Sequence, residues 1–222
     1  MELIITGDGS HTLFSGELDE TYHSKHGAIR ESMHVFIRNG FRHYLSISGK
    51  NNLRVFELGL GTGLNALLTA MEAGKFRCPV WYEAVEPYPL GPDIYRKLNF
   101  TDFLPPTEPP GLLLKIHESG WEGAEPLTGK YTQKKARIRF EDYETDNKNF
   151  DIIYYDAFAP GKQPEIWAPG LIRKAHDMLL PGGILVTYCA QGNFKRNLRE
   201  AGFRIESLTG PPGKKEMVRA VR

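Results

Sequence analysis

The sequence predicts an α/β fold: a mostly parallel seven-stranded sheet with a C-terminal antiparallel hairpin and a small N-terminal addition. Three observations predict it. Short apolar runs alternate with stretches of helical periodicity, the rhythm of βαβ units with right-handed crossovers. A glycine-rich turn, GLGTG at 59–63, joins the first core run to a helix. The turn GPPGKK leads into a last run, EMVRAV, that pairs back on the one before it.

The opening LIITGDGSHTLFS reads as a hairpin outside the main sheet, turned at Gly-Asp-Gly. Over 24–39, Ile29, Met33, Phe36 and Ile37 recur at helical spacing, and Gly40 is the expected stop. Residues 53–58 form a strand covered on both faces, and Leu64, Leu67, Leu68 and Met71 mark the face of a helix closed by Gly74. VWYEAVE at 80–86 is the second strand, with Pro89 or Pro92 opening the next helix. The proline-rich segment 101–135 interrupts the pattern and reads as an insertion in which only 112–116 looks strand-like. Strands are then expected at 136–140, at 151–155 ending in Asp156, and at 184–188. A helix carrying Ile172, Ala175 and Leu179 ends at Pro181-Gly182-Gly183. A further helix carries Phe194, Leu198 and Ala201 and stops at Gly202, and Phe203 and Ile205 begin the final hairpin.

The chain of 222 residues fits one domain, 1–222, with an extension at 1–50 and the core at 51–222. With 41% hydrophobic and 25% charged residues it is an ordinary folded α/β chain. No stretch approaches the roughly 20 apolar residues of a membrane span, and the N-terminus lacks a secretory pattern, so a cytoplasmic location is expected. Two cysteines, Cys78 and Cys189, and histidines without a completing ligand cluster argue against a disulfide framework or a metal site. The formal charge of +1 means that a nucleic-acid partner has to be held by a local basic patch.

Glycines at 59, 61 and 63 leave bare backbone where a ligand can approach a helix N-terminus. A dinucleotide fingerprint would end in Gly or Ala where Leu64 stands, and no basic partner for a pyrophosphate lies beside the loop. GxGxG after an acidic strand end instead fits S-adenosylmethionine (SAM), with Glu57 placed to meet its ammonium. Glu86, ending the second strand, is positioned to accept both ribose hydroxyls, and Asp142 to accept the adenine amino hydrogen, although a helix cap explains Asp142 nearly as well. Asp156 closes the apolar strand DIIYYD at the sheet's carboxyl edge, where an acid can take a proton from an amine nucleophile. A turn-capping role there would leave a costly unpaired carboxylate. Lys195, Arg196, Lys214 and Lys215 belong to a C-terminal concentration of positive charge, a candidate phosphate-contacting rim that could equally be a solvated face.

FELGLGTGLN, AVEPYPL, YYDAFAPGKQPEIW and AGFRIESLTGPPGKKEMVRAV resemble the methyltransferases of tRNA wobble-uridine modification, the MnmC N-terminal domain and its free-standing relatives, from about residue 20 onward. The resemblance implies a Rossmann-like class I methyltransferase fold. It also implies methylation of 5-aminomethyl-2-thiouridine to 5-methylaminomethyl-2-thiouridine in the tRNA anticodon loop. It puts Gly59, Gly61, Gly63, Glu86 and Asp142 on SAM-binding positions and Asp156 on the catalytic one. Bifunctional relatives carry an oxidase domain; none is expected here, so the amine is expected from another enzyme or modification branch. Two rivals stay open: a spermidine-synthase-like aminopropyltransferase using decarboxylated SAM, and a non-catalytic RNA-binding module with a nucleoside pocket.

Overall fold

The computed structural model describes residues 1–107, 109–145 and 149–222. The N-terminal addition is a three-stranded antiparallel sheet, β1 (Glu2–Ile5), β2 (His11–Ser15) and β3 (Glu20–Thr21). Three helical stretches follow without a break: α1 (Ala28–Ser32), a wider π-type segment (Met33–Arg42) and α2 (His43–Ser48). Gly40 therefore does not stop the helix. A Cβ there would lie 3.1 Å from Val186 Cγ2 and 3.3 Å from the Tyr154 ring, so this glycine lets the helix press onto the sheet. The stop is Gly49, whose left-handed φ of 65° closes α2.

The core begins with β4 (Leu53–Leu58), α3 (Leu64–Lys75) and β5 (Val80–Val85), as the alternation predicts. Pro92 opens the short helix α4 (Pro92–Tyr95). Within the insertion, 112–116 is not a strand but part of α5 (Leu112–Glu118). Leu112, Leu113 and Ile116 are buried while Leu114 and Lys115 are exposed, so the apolar positions follow a helical face. Next come β6 (Gly123–Thr128) and β7 (Tyr131–Ala136), an antiparallel hairpin. The third core strand is thus β7, ending where 136–140 was expected to begin. Its alternation of buried Tyr131, Gln133 and Lys135 hides the strand, because two of those buried side chains are polar.

β8 (Phe150–Tyr155), α6 (Pro169–Met178), β9 (Leu179–Thr187) and α7 (Gly192–Glu200) continue the alternation. Leu179 belongs to β9 rather than to the helix, with a register irregularity against β8 at its start. The hairpin β10 (Arg204–Thr209) and β11 (Glu216–Val221) completes the sheet.

The strand order is β10-β11-β9-β8-β4-β5-β7-β6, eight strands rather than seven. The inner pairings β9·β8, β8·β4, β4·β5 and β5·β7 are parallel, and β6 is the extra edge strand supplied by the insertion. From β4 the chain moves outward to β5, and later it returns to place β8 on the other side of β4. The carboxyl ends of β4 and β8 therefore form the crevice at which open α/β sheets bind ligands. Gly59 follows one of these strands and Asp156 the other.

Candidate active site

Gly59, Gly61 and Gly63 have φ of 83°, 51° and 73°, values that a side chain would strain. A Cβ on Gly59 would stand 3.2 Å from the Asp156 carbonyl oxygen, and one on Gly61 would stand 3.2 Å from the Tyr22 ring. Close approach thus adds to the backbone strain against side chains on both. A cavity of about 840 Å3 opens over this turn, within the ~300–1,000 Å3 range of small-ligand sites. Gly59, Gly61, Glu86 and Asp156 line it; Gly63 does not, being turned toward the insertion, where a Cβ would meet His117 Nε2 at 3.1 Å.

Glu86 is fixed by backbone donors. Gly61 N–H donates to Oε2 at 2.9 Å and Tyr88 N–H to Oε1 at 2.8 Å. Burial raises its pKa, and those two bonds oppose the rise. Each carboxylate oxygen keeps a second lone pair for a ligand hydroxyl.

Asn65 joins two acids. Its Nδ2 donates to Glu57 Oε1 at 2.9 Å and to Asp156 Oδ2 at 2.8 Å. Glu57 lies beneath the turn, buried and outside the cavity lining, so it does not reach the ligand space as the sequence suggested. Burial pushes its carboxyl well above the usual range. Asp156 does face the cavity. Burial first, and then the nearby Glu31 charge, push it up to about 7, against the Asn65 hydrogen bond and the Lys214 charge.

Asp142 is exposed and off the lining, whereas Glu141 lines the cavity. The buried Oε2 of Glu141 has no hydrogen-bond partner among the described residues, and neither has Asn65 Oδ1 on the same lining. Both are acceptors waiting for donors.

The basic residues separate. Lys214 lines the cavity, pairs with Glu31 Oε1 at 2.6 Å and holds its Nζ 3.6 Å from the centre of the Tyr188 ring. A shallower pocket beside the cavity shares Ala159, Tyr188 and Lys214 with it and adds exposed Lys215. Lys195 is paired with Glu216 at 2.7 Å, and exposed Arg196 bonds Asn193; neither lines the cavity or the shallower pocket.

Much of the cavity wall comes from the N-terminal addition, through residues such as Tyr22, His26 and Glu31, a role with no signal in the sequence. Tyr22 packs edge-on against Phe158 with ring centres 5.0 Å apart, tying the addition to the loop after Asp156. Asn65 was readable only as a residue near the glycine turn.

Residues 120–222 match the family described as S-adenosyl-L-methionine-dependent methyltransferase. The bifunctional protein MnmC of Cupriavidus necator, named for tRNA 5-methylaminomethyl-2-thiouridine biosynthesis, is 28% identical over 92% of this chain. Its counterpart from Ralstonia nicotianae is 29% identical over 93%. The crystal structure of MnmC2 from Aquifex aeolicus superposes with a TM-score of 0.76 at 26% identity, covering 99% of this chain and 69% of that one. The chain is thus similar along nearly its whole length to the methyltransferase part of MnmC proteins, and its C-terminal half matches the methyltransferase family model. SAM is the family's cofactor. The domain spans about a third of the length of the MnmC relatives, 32% in each of these two. DesVI of Streptomyces venezuelae, at 11% identity and a TM-score of 0.52, shares the fold. Among the described residues of the domain, no group of three His, Cys, Asp or Glu side chains could hold a metal ion, and no helix is long and apolar enough to cross a membrane.

Proposed function

We propose that this methyltransferase domain transfers the SAM methyl group to the amine of 5-aminomethyl-2-thiouridine at the tRNA wobble position, giving 5-methylaminomethyl-2-thiouridine. The reading rests on one observation above others. A single cavity carries a backbone-fixed Glu86 over the glycine turn and, at the neighbouring strand end, an Asp156 poised to change protonation near neutrality.

The cofactor supplies an electrophilic methyl group on sulfur. Glu86 accepts the two ribose hydroxyls with its spare lone pairs, as charge-assisted hydrogen bonds. Asn65 Oδ1 accepts from the cofactor ammonium, the part assigned to Glu57 by sequence. Glu141 Oε2, rather than Asp142, accepts from the adenine amino group. Gly59 and Gly61 let the cofactor lie against bare backbone.

Asp156, held by Asn65, faces the amine nucleophile. SAM would supply the methyl group to the amine lone pair, with the thioether as leaving group, and the Asp156 carboxylate would take the proton that the amine then gives up. Holding the amine in line supplies a large share of the rate. Lys214, Lys215 and the shallow pocket beside Tyr188 lie where the nucleotide enters, and Lys195 and Arg196 flank that entrance for phosphates. A tRNA substrate sets this work in the cytosol.

The test is purified protein with SAM and tRNA carrying the aminomethyl group, followed by mass spectrometry of the nucleosides. The wobble nucleoside should gain one methyl, and unmodified transcript should stay inert. Equal methylation of unmodified transcript would show that the nucleophile is not this amine.

A further inference from the structure

Thr62 stands at the crown of the glycine turn with no visible task in the chemistry above, yet it is 2% exposed. Two histidines from segments outside the βαβ frame of the fold meet it. His117, at the end of α5, places Nε2 3.0 Å from the Thr62 carbonyl oxygen. His23, just after β3, places Nε2 3.2 Å from Thr62 Oγ1, with its Nδ1 3.2 Å from Thr12 Oγ1. A carbonyl only accepts, so His117 must carry its proton on Nε2.

The support behind His117 is continuous. Its ring stacks on Tyr95 with centres 4.6 Å apart and planes 3° from parallel. The helix end carrying it is capped by Lys135 Nζ, which donates to the Ile116 and His117 carbonyls at 2.9 and 2.8 Å. Gln133 Nε2 adds a bond to Ile116 at 2.9 Å. Lys135 is a fully buried lysine on the sheet strand β7, so the brace runs from sheet to helix end to ring to turn.

We propose that His117 is a positioning residue for SAM: with His23 it clamps Thr62 from two sides and so fixes the peptide planes of the glycine turn. The inference rests on the cofactor reading above. A turn with glycines on both sides of Thr62 has little intrinsic resistance to peptide rotation. Rotation of the 62–63 peptide would break the bond from Gly63 N–H to the Leu60 carbonyl at 2.8 Å, which closes the turn that carries Gly61 and its bond to Glu86. Both rings stay neutral donors or acceptors at physiological pH, because burial holds each at about 4. The two accessory segments thereby converge on one residue of the turn.

Calorimetry of SAM binding to wild type, His117→Ala and His117→Gln tests it, with thermal melts as the folding check. His117→Ala should weaken SAM about five- to tenfold, the worth of one buried neutral hydrogen bond, and raise the SAM KM equally while kcat at saturating SAM holds. Gln Nε2 can donate to the same carbonyl, so His117→Gln should recover most of the affinity. Wild-type affinity in the alanine variant, or no rescue by glutamine, would overturn the clamp. If the alanine variant does not fold, nitrogen-15 NMR of labelled wild-type histidine decides: an Nε2–H tautomer is expected, and an Nδ1–H tautomer overturns the proposal. A wild type that binds no SAM would overturn the cofactor reading instead, and this inference with it.

Discussion

In the proposed reaction Asp156 carries opposed demands from catalysis and folding. Its carboxyl, pushed up to about 7, is protonated below that pH and cannot accept the amine's proton. Activity should therefore fall as pH drops through about 7, in the same sense as loss of the neutral amine. The stability sign is opposite. A group whose folded pKa exceeds its unfolded one stabilises fully below about pH 4, and that contribution is lost as pH rises to about 7. Asp156→Asn should lower the methyl-transfer rate by about 100-fold or more, with SAM binding retained. At pH 8 it should also raise the melting temperature by about 2–4 °C, the effect of roughly 1 kcal/mol in a domain of this size. Kinetics and melts of the one variant measure both, and a variant both active and unshifted would remove Asp156 from the chemistry. Glu86→Ala, which deletes two charge-assisted contacts, should weaken SAM binding about 10- to 100-fold by calorimetry. The place of these two acids on the cavity wall was legible because each directly follows a strand whose end is unambiguous. Glu57 lies off the lining because it sits one residue before the end of β4, where alternation turns it under the helix N-terminus. Asp142 lies off the lining because the chain leaving β7 runs along the cavity through Arg139, Phe140 and Glu141 and then turns out to solvent.

At the scale of elements, the parallel strands were plain because burial on both faces leaves unbroken apolar runs. β4, β5 and β8 came through nearly residue for residue. The failures have a common origin in tertiary contacts that outrank local signals. Gly40 carries the mark of a helix stop, yet the helix passes it because the sheet needs the missing Cβ. β7 lacked an apolar signature because Lys135 and Gln133 are buried to hold the end of α5, a demand set by Ile116, 17 to 19 residues earlier and outside any local window. The Gly40 reading is testable. Val186 and Tyr154 are themselves fully buried and have little room to yield. Gly40→Val should therefore cost about 1–3 kcal/mol by overpacking, despite removing a glycine from a helix. Chemical denaturation measures this; an unchanged or raised stability would mean that the helix–sheet contact is looser than the 3.1 Å approach implies.

For the whole molecule, the net charge of +1 gives no general attraction to RNA, so any phosphate affinity has to come from a few uncompensated cations at the cavity mouth. The structure separates the four candidates that sequence could only group together. Lys214 is tied to Glu31 and lies against Tyr188 inside the cavity, and Lys195 is tied to Glu216. Lys215 and Arg196 are the exposed pair, on the last hairpin and on α7 beside the shallow pocket. An ion-paired lysine releases little counterion when a phosphate arrives, because its partner already neutralises it. Of these four, Lys215 and Arg196 should then carry the larger part of any salt dependence of tRNA binding. Neutralising both to glutamine should flatten the plot of log affinity against log salt by about 1.4–1.8, at roughly 0.7–0.9 for each phosphate that no longer meets a cation. Lys214→Gln should leave that slope nearly unchanged and instead raise the pKa read from the pH–rate profile, since its charge is one of the two influences drawing Asp156 down. Fluorescence anisotropy over a salt series, with the pH profile of the same variants, distinguishes the roles. If Lys214→Gln flattened the slope as much as Lys215→Gln and left the pH profile in place, Lys214 would be a phosphate ligand, and the cavity mouth would extend over both lysines.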